Sequence, residues 1–107
     1  MPTVYFNIVD PEGTSVDVYP DQSVKLIKEP NQYDEESIEV WLMEKGNTGL
    51  DRKIGYVANS VSTVPLGTYS AGRLYDKIAD GTFGIIIIAN NEHTKLMIGE
   101  VELNGAN

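Results

Sequence analysis

Two phrases separated by a loop decide how this chain folds: KEPNQYDEESIEV at residues 28–40 and KIGYVAN at residues 53–59. In the first phrase, Pro30 ends one strand, because proline cannot donate a hydrogen bond to a β-ladder. A polar turn follows, and apolar residues then alternate with their neighbours over residues 38–43, as in a half-buried strand. The second phrase is rich in β-branched and aromatic residues and predicts a strand over residues 53–58. This order is typical of a small antiparallel β domain.

Further strand signals lie on both sides of these phrases, each bounded by turn residues. They cover residues 3–9, 15–19, 24–28, 83–89 and 95–103. The first two segments are expected to form a hairpin. Four isoleucines in succession, at residues 85–88, predict a strand that is buried on both faces.

The hydrophobic period changes once along the chain. Apolar residues at positions 71, 74, 75 and 78 have helical spacing, so we expect one short amphipathic helix at about residues 70–79. Ser70 is its expected N-cap, and Gly81 lies just past its end. Six to seven strands with one helix and no alternation of strands with helices predict a mainly β fold, a small barrel of the OB or SH3 kind.

Composition is compatible with one globular domain over residues 1–107, with 104–107 as a frayed tail. The chain has no cysteine, which excludes disulfides and thiolate metal sites. No apolar run reaches the roughly 20 residues of a membrane helix, and no secretory signal is visible, so we expect a cytoplasmic protein.

The charge is strongly acidic and unevenly distributed. The formal net charge is −8; residues 1–51 hold eleven acidic and three basic residues, whereas residues 52–107 hold five of each. Binding of duplex DNA normally depends on basic groups, so a duplex-binding protein is not expected. Recognition of one exposed base or strand end, or docking onto a basic protein, remains compatible with this charge.

Residues for catalysis are scarce. The only histidine, His93, lies in a polar turn segment with no evident orienting partner. The densest acidic cluster, residues 34–36, lacks the spacing of a calcium loop and is interpreted as a solvated turn. No phosphate-binding loop or nucleophile motif is present. We therefore expect a non-catalytic protein without cofactor or structural metal.

Aromatic residues on predicted turns and strand ends are the more informative feature. Tyr33 follows the proline stop, and Tyr56 lies on a strand that leads into a long loop. Such rings stack on unpaired bases, but they also cover cores while their hydroxyls face water, and the residues leave both interpretations open. Trp41 also has two interpretations, since its ring can face a partner or pack against the protein.

The two phrases together resemble the HIRAN domain over about residues 16–80, as found in short stand-alone bacterial proteins. The first phrase is similar to the family's acid-Pro-Asn-x-Tyr-Asp signature and differs from it in having Ser37 in place of alanine; the second is similar to its Ile-Gly-aromatic strand. The resemblance implies a small β-barrel that binds the 3′ end of single-stranded DNA in repair or processing. It implies a pocket of Asn31, Tyr33, Asp34 and Tyr56.

Two functions therefore compete at the level of sequence. In the first, the pocket binds a single-stranded DNA end, and the phosphate contacts come from Arg52, Lys53 and, one helical turn apart, Arg73 and Lys77. The other interpretation of the two helical cations is a solvated helix face that pairs with Asp76 and Asp80. In the second function, the acidic half docks onto a basic nucleic-acid enzyme, as an interaction module or inhibitor carried by a bacterium or phage.

Overall fold

Alternating apolar residues build six β-strands, which the computed structural model closes into one antiparallel barrel; it describes residues 2–13, 16–43, 51–92 and 95–104. The strands are β1 (Thr3–Val9), β2 (Ser23–Lys28), β3 (Ile38–Met43), β4 (Asp51–Val57), β5 (Thr82–Asn90) and β6 (Leu96–Glu102). A 3-10 turn (Val61–Thr63) and helix α1 (Ala71–Tyr75) connect β4 to β5. The expectation of a mainly β barrel with one short helix is confirmed.

The strands follow the order β1-β4-β3-β2-β5-β6 around the barrel. β1 pairs along most of its length with β6, from Thr3 opposite Glu102 to Ile8 opposite Met97. Its last two residues also pair with β4, where Val9 lies opposite Tyr56. Both partners of β1 are therefore distant in sequence, and the closure between β1 and β4 is short.

The predicted second strand and its hairpin with the first are wrong. Residues 16–19 form no strand, although Val18 is fully buried. The Asn91 side chain satisfies the Val18 backbone in place of a neighbouring strand: its Oδ1 accepts from the Val18 N–H at 3.0 Å, and its Nδ2 donates to the Val18 carbonyl at 2.8 Å. Residue 15 lies outside the described residues.

Helix α1 is shorter than the predicted span of about 70–79. Ser70 is its N-cap, as expected, and its hydroxyl accepts from the Arg73 N–H at 3.2 Å. The helix ends early because the Lys77 N–H donates to the Leu74 carbonyl, three residues back instead of four. Ile78 still packs fully buried in the core.

The core fills the barrel and extends beneath α1. Its largest fully buried side chains include Phe6, Leu26, Ile38, Ile54, Leu74, Ile86 and Met97. Gly99 is part of this packing, because a β-carbon at this position would overlap the Phe6 ring on the adjacent strand.

The isoleucine run is not buried on both faces, which corrects that prediction. Ile86 is fully buried, whereas Ile88 is 49% exposed. The register between β5 and β6 shifts between these two residues, and this β-bulge interrupts the alternation of side chains between the core and solvent.

Three predicted features fall wholly or partly outside the described residues: His93, residue 15 and most of the 104–107 tail. Asn104 is described, and its Oδ1 accepts from the Ala79 N–H at 3.0 Å. Among the described residues, no helix is both long and apolar enough to cross a membrane.

Candidate binding cleft

The polar turn between β2 and β3 is held by its own side chains. The Asn31 Oδ1 accepts from the backbone N–H groups of Tyr33 at 2.8 Å and Asp34 at 3.0 Å. The Asn31 N–H donates to the Asp34 carbonyl, and Asp34 Oδ1 accepts from the Glu36 N–H at 2.9 Å. These Asx-type bonds fix the backbone on both sides of Tyr33. Its side chain is 89% exposed, so a solvated ring stands on an ordered turn.

Asn59 fastens this turn to the helix. Its Nδ2 donates to both carboxylate oxygens of Asp34, at 3.3 and 3.5 Å, and its Oδ1 accepts from the Gly72 N–H at 2.9 Å. The Glu36 carboxylate also lies against Gly72, where a β-carbon would be 2.7 Å from it. Sequence reasoning missed Asn59. The chain offers a signal, the amide that ends the second phrase, but does not indicate which turn this amide would bond.

An open cleft of about 460 Å³ lies beside this turn. The residues that line it are Val9, Asp10, Pro11, Asp34, Ser37, Tyr56, Val57, Asn59, Ser60 and Thr63. The structure thus brings two of the predicted site residues, Asp34 and Tyr56, to one cleft. Asn31 supports it through the turn, and Tyr33 precedes Asp34 at the solvent-exposed side of that turn.

Gly55 explains the Ile-Gly-Tyr order of the second phrase. A β-carbon on Gly55 would overlap the carbonyl oxygen of Val9, where β1 closes on β4. The glycine therefore lets Val9 and Asp10 approach Tyr56, and all three line the cleft. The requirement for this glycine comes from barrel closure.

Lys53 lies behind Tyr56 in a small charged network. Its ammonium group donates to the Tyr56 hydroxyl at 3.1 Å and lies 3.4 Å from a Glu12 carboxylate oxygen and 3.6 Å from one of Glu39. The pKa of Lys53 is raised above its usual range, first by the hydrogen bond to Tyr56 and also by Glu39 and Glu12, while burial opposes the shift. Lys53 thus contacts both the hydroxyl and the ring of Tyr56 and holds this side chain in place beside the cleft. Glu39 also accepts from the Trp41 indole N–H at 2.9 Å, which ties that ring to its own strand.

The other cations of the described chain are also engaged by protein groups. Three of them lie over aromatic rings, Lys25 on Phe83, Lys28 on Tyr75 and Arg73 on Tyr69, as Lys53 does on Tyr56. Lys95 donates to the Val16 carbonyl at 2.7 Å and lies 3.7 Å from Asp10.

Arg73 and Lys77, the predicted phosphate contacts, lie on the helix side. Lys77 Nζ donates to the Arg73 carbonyl at 3.1 Å, and the Arg73 guanidinium lies 3.7 Å from the Tyr69 ring centre. Neither residue is among those that line the cleft. Asp80, an expected partner of these cations, accepts from the Lys28 N–H at 2.8 Å. Their role as phosphate ligands stays a prediction.

The acidic cluster at residues 34–36 is part of this turn, and its carboxylates contact different residues. Asp34 faces Asn59, whereas Glu36 lies against Gly72. Among the described residues, no group of three or more acidic or histidine side chains is arranged to hold a metal ion.

Comparison with known proteins finds no match for this chain among protein-family models, curated proteins or solved structures. The interpretation of the cleft therefore rests on its own geometry and on the sequence resemblance described above.

Proposed function

We propose that the cleft binds the free 3′-hydroxyl end of single-stranded DNA, as a non-catalytic module in DNA repair or processing. One observation carries the proposal: Asp34 and Tyr56 line one cleft beside Tyr33, an exposed ring on a turn fixed by hydrogen bonds. The resemblance of residues 16–80 to HIRAN domains supports it, since it implies the same pocket.

The Asp34 carboxylate determines which end of a strand suits the cleft. It faces a lined cavity and is partly satisfied by Asn59 and the Glu36 N–H. A carboxylate accepts hydrogen bonds and repels anions. A terminal hydroxyl can donate to it, whereas a terminal phosphate would place two anions in contact. The cleft should therefore prefer a 3′-hydroxyl to a 3′-phosphate.

The tyrosine rings supply the contact with bases. A base stacked on an aromatic side chain contributes about 1–3 kcal/mol, whatever its identity. Tyr33 offers an accessible ring face, and its fixed backbone lowers the entropy lost on binding. A base inside a duplex has both faces covered by its neighbours, so the expected ligand is unpaired DNA.

Phosphate contacts contribute little to this binding. Lys53 is paired with two glutamates, and the cations nearest the helix contact Tyr69 or a backbone carbonyl. Few counterions are then released on binding, so affinity should be weak and depend little on salt.

Fluorescence anisotropy with matched oligonucleotides tests the proposal. We expect Tyr33→Ala to remove about 1–3 kcal/mol of binding. A 3′-phosphate should weaken wild-type binding by about tenfold, and Asp34→Asn should abolish that preference. Tyr19→Ala is the matched control, because Tyr19 is also exposed but does not belong to the turn that carries Asp34 into the cleft.

Two results would reject the proposal. One is the absence of binding at high micromolar protein. The other is equal affinity for free and blocked 3′ ends together with indifference to Tyr33→Ala.

The charge distribution favours a second candidate, docking of the acidic surface onto a basic protein such as a nucleic-acid enzyme. Glu35 and Glu36 are exposed, whereas the described cations contact protein groups. The double variant Glu35→Lys with Glu36→Lys separates the two candidates. It should strengthen oligonucleotide binding if DNA is the ligand, and weaken binding of a lysine-rich peptide if a basic protein is the partner.

A further inference from the structure

The outer surface of β5 and β6 carries a row of apolar side chains, which we name the outer face. It consists of Phe83, Ile85, Ile88, Leu96 and Ile98, with Tyr5 of β1 beside it. On β6 the residues between these, at 97, 99 and 101, are buried. The alternation of a β-strand therefore directs residues 96 and 98 away from the core.

The outer face is exposed despite its hydrophobic composition. Phe83 is 60% exposed and Leu96 43%, and Ile88 is half exposed. Ile88 lies directly opposite Ile98, and it belongs to this face because of the bulge that follows Ile86. Without that register shift, the period of two would direct Ile88 inward with Ile86. A bulge that adds an isoleucine to an exposed surface works against solubility, and contiguous exposed apolar surface is typical of interaction sites.

A second cleft, of about 480 Å³, continues the outer face. Leu96 belongs to both, and Val64 and Pro65 also line the cleft. A partner that lies on the outer face therefore has a depression beside it that suits one apolar side chain.

The charges around the outer face are mainly acidic. Glu100 lies opposite both Ile85 and Tyr5, Glu102 is exposed at the end of β6, and Glu92 is exposed in the turn after β5. Two cations border the outer face: Lys25 lies over the Phe83 ring, and Lys95, beside Leu96, lies 3.7 Å from Asp10. A complementary surface must therefore be apolar at its centre and basic around it.

We propose that the outer face binds a segment of a second protein that presents apolar side chains together with lysine or arginine. A second copy of this chain is disfavoured, because two acidic rims on molecules of net charge −8 would meet. Addition of a partner strand is disfavoured too, since the barrel is closed and the partner must contact side chains. This interaction goes beyond DNA-end binding. No residue of the outer face lines the first cleft, although Val9, Asp10 and Thr63 line both clefts.

Isoleucine-methyl NMR with three short synthetic peptides tests the inference. The peptides alternate leucine with lysine, serine with lysine, or leucine with glutamate. We expect the leucine–lysine peptide to shift the methyl signals of Ile85, Ile88 and Ile98, while those of the core residues Ile38 and Ile54 stay unchanged. The other two peptides should bind at least about tenfold more weakly, because each lacks one half of the complementarity.

Two variants make the test specific. Ile88→Ser should weaken binding of the leucine–lysine peptide by about tenfold or more and leave oligonucleotide binding unchanged. Tyr33→Ala should do the reverse, so that failure of this inference can be distinguished from failure of the DNA proposal. Both residues are exposed, so neither change should unfold the barrel.

Three outcomes would overturn the inference. Absence of shifts with the leucine–lysine peptide is one, and equal binding of the serine–lysine peptide is another, since charge would then suffice. The third is a wild-type dimer, seen by analytical ultracentrifugation, that Ile88→Ser converts to a monomer. In that case the occupant is a second copy of this chain.

Discussion

The cleft beside Asp34 and the outer face of β5 and β6 both expose apolar or aromatic side chains, but they differ in how many they expose and in what holds them. At the cleft, a single ring, Tyr33, stands on a turn whose polar groups are bonded to one another. On the outer face, several apolar side chains share one wall of the barrel, and no turn positions them. The exposed side chains of the two regions therefore suit different kinds of ligand. The cleft presents a few groups in fixed positions and suits a small ligand end, whereas the outer face presents area and suits another protein.

Closure of the barrel between β1 and β4 lies beside the cleft and not at the outer face. Gly55→Ala, which disturbs this closure, should therefore have the largest effect on stability. The new β-carbon would overlap the Val9 carbonyl and force β1 away from β4, where the cleft lies. We expect a loss of about 3 kcal/mol in the free energy of unfolding, measured by urea denaturation. The NMR signals of Tyr56 should change, and those of Ile98 should change less.

Gly13→Ala is the control for Gly55→Ala. Both glycines have positive φ, but a β-carbon on Gly13 meets no atom within 4 Å. Gly13→Ala should therefore lower the free energy of unfolding only by the strain of a positive φ at a residue with a β-carbon, about 1 kcal/mol. Equal losses for the two variants would show that the contact with Val9 is not decisive.

Removal of the charged network behind the cleft should have the next largest effect. Lys53→Met leaves Glu39 half-buried without its cation, and we expect a loss of about 2 kcal/mol in the free energy of unfolding. Addition of Glu39→Gln should restore part of it. If the double variant is as unstable as the sum of both single variants, the pair is not coupled.

The pH dependence of that loss follows from the raised pKa of Lys53. A lysine with a raised pKa in the folded state contributes its full stabilisation below the ordinary lysine value. The contribution is lost only as the pH rises through the folded value. The difference between wild type and Lys53→Met should thus stay constant from about pH 6 to about pH 9. A stability difference that decreases between about pH 6 and about pH 9 would contradict the role of Lys53 in the charged network.

The sequence predicted most of the individual strands and the start of the helix, but little of how the strands pair with one another. The first strand, Thr3–Val9, and the N-cap at Ser70 follow from composition and spacing, because both depend on neighbouring residues. The pairing of β1 with β4 and β6 depends on residues up to a full chain length away, and local signals do not encode it. The same limit explains the false strand at 16–19, where the Asn91 side chain takes the place of a strand partner.

The two surfaces differ in how far the sequence indicated them. Asp34 and Tyr56 carry motif signals, and their meeting in one cleft requires only the adjacency of β3 and β4. Asn59 ends the second phrase, but the sequence does not indicate its partners, since one of them lies on a helix later in the chain. The outer face was concealed by the isoleucine run itself, because four β-branched residues in succession give no sign of the bulge.

A smaller effect tests whether the turn positions the cleft. Asn31→Ala removes the acceptor of two backbone N–H groups, those of Tyr33 and Asp34. We expect a loss of about 1 kcal/mol in stability, because the turn is exposed and water replaces part of each bond. Oligonucleotide binding should weaken, while peptide binding at the outer face should not. If both kinds of binding weaken together, the two regions are not independent.

The smallest effect on stability is expected for Tyr33→Ala, and it is the sharpest test of the comparison. Hydrogen bonds of Asn31 hold the turn through the backbone, and the Tyr33 ring packs against little of the protein. The free energy of unfolding should therefore change by no more than about 0.5 kcal/mol. A ring so exposed on a turn with a fixed backbone has no evident structural purpose, so a change in oligonucleotide affinity without a change in stability would assign it to binding. A loss of stability instead would mean that the ring covers apolar groups in solution, and the base-stacking role would lose its main support.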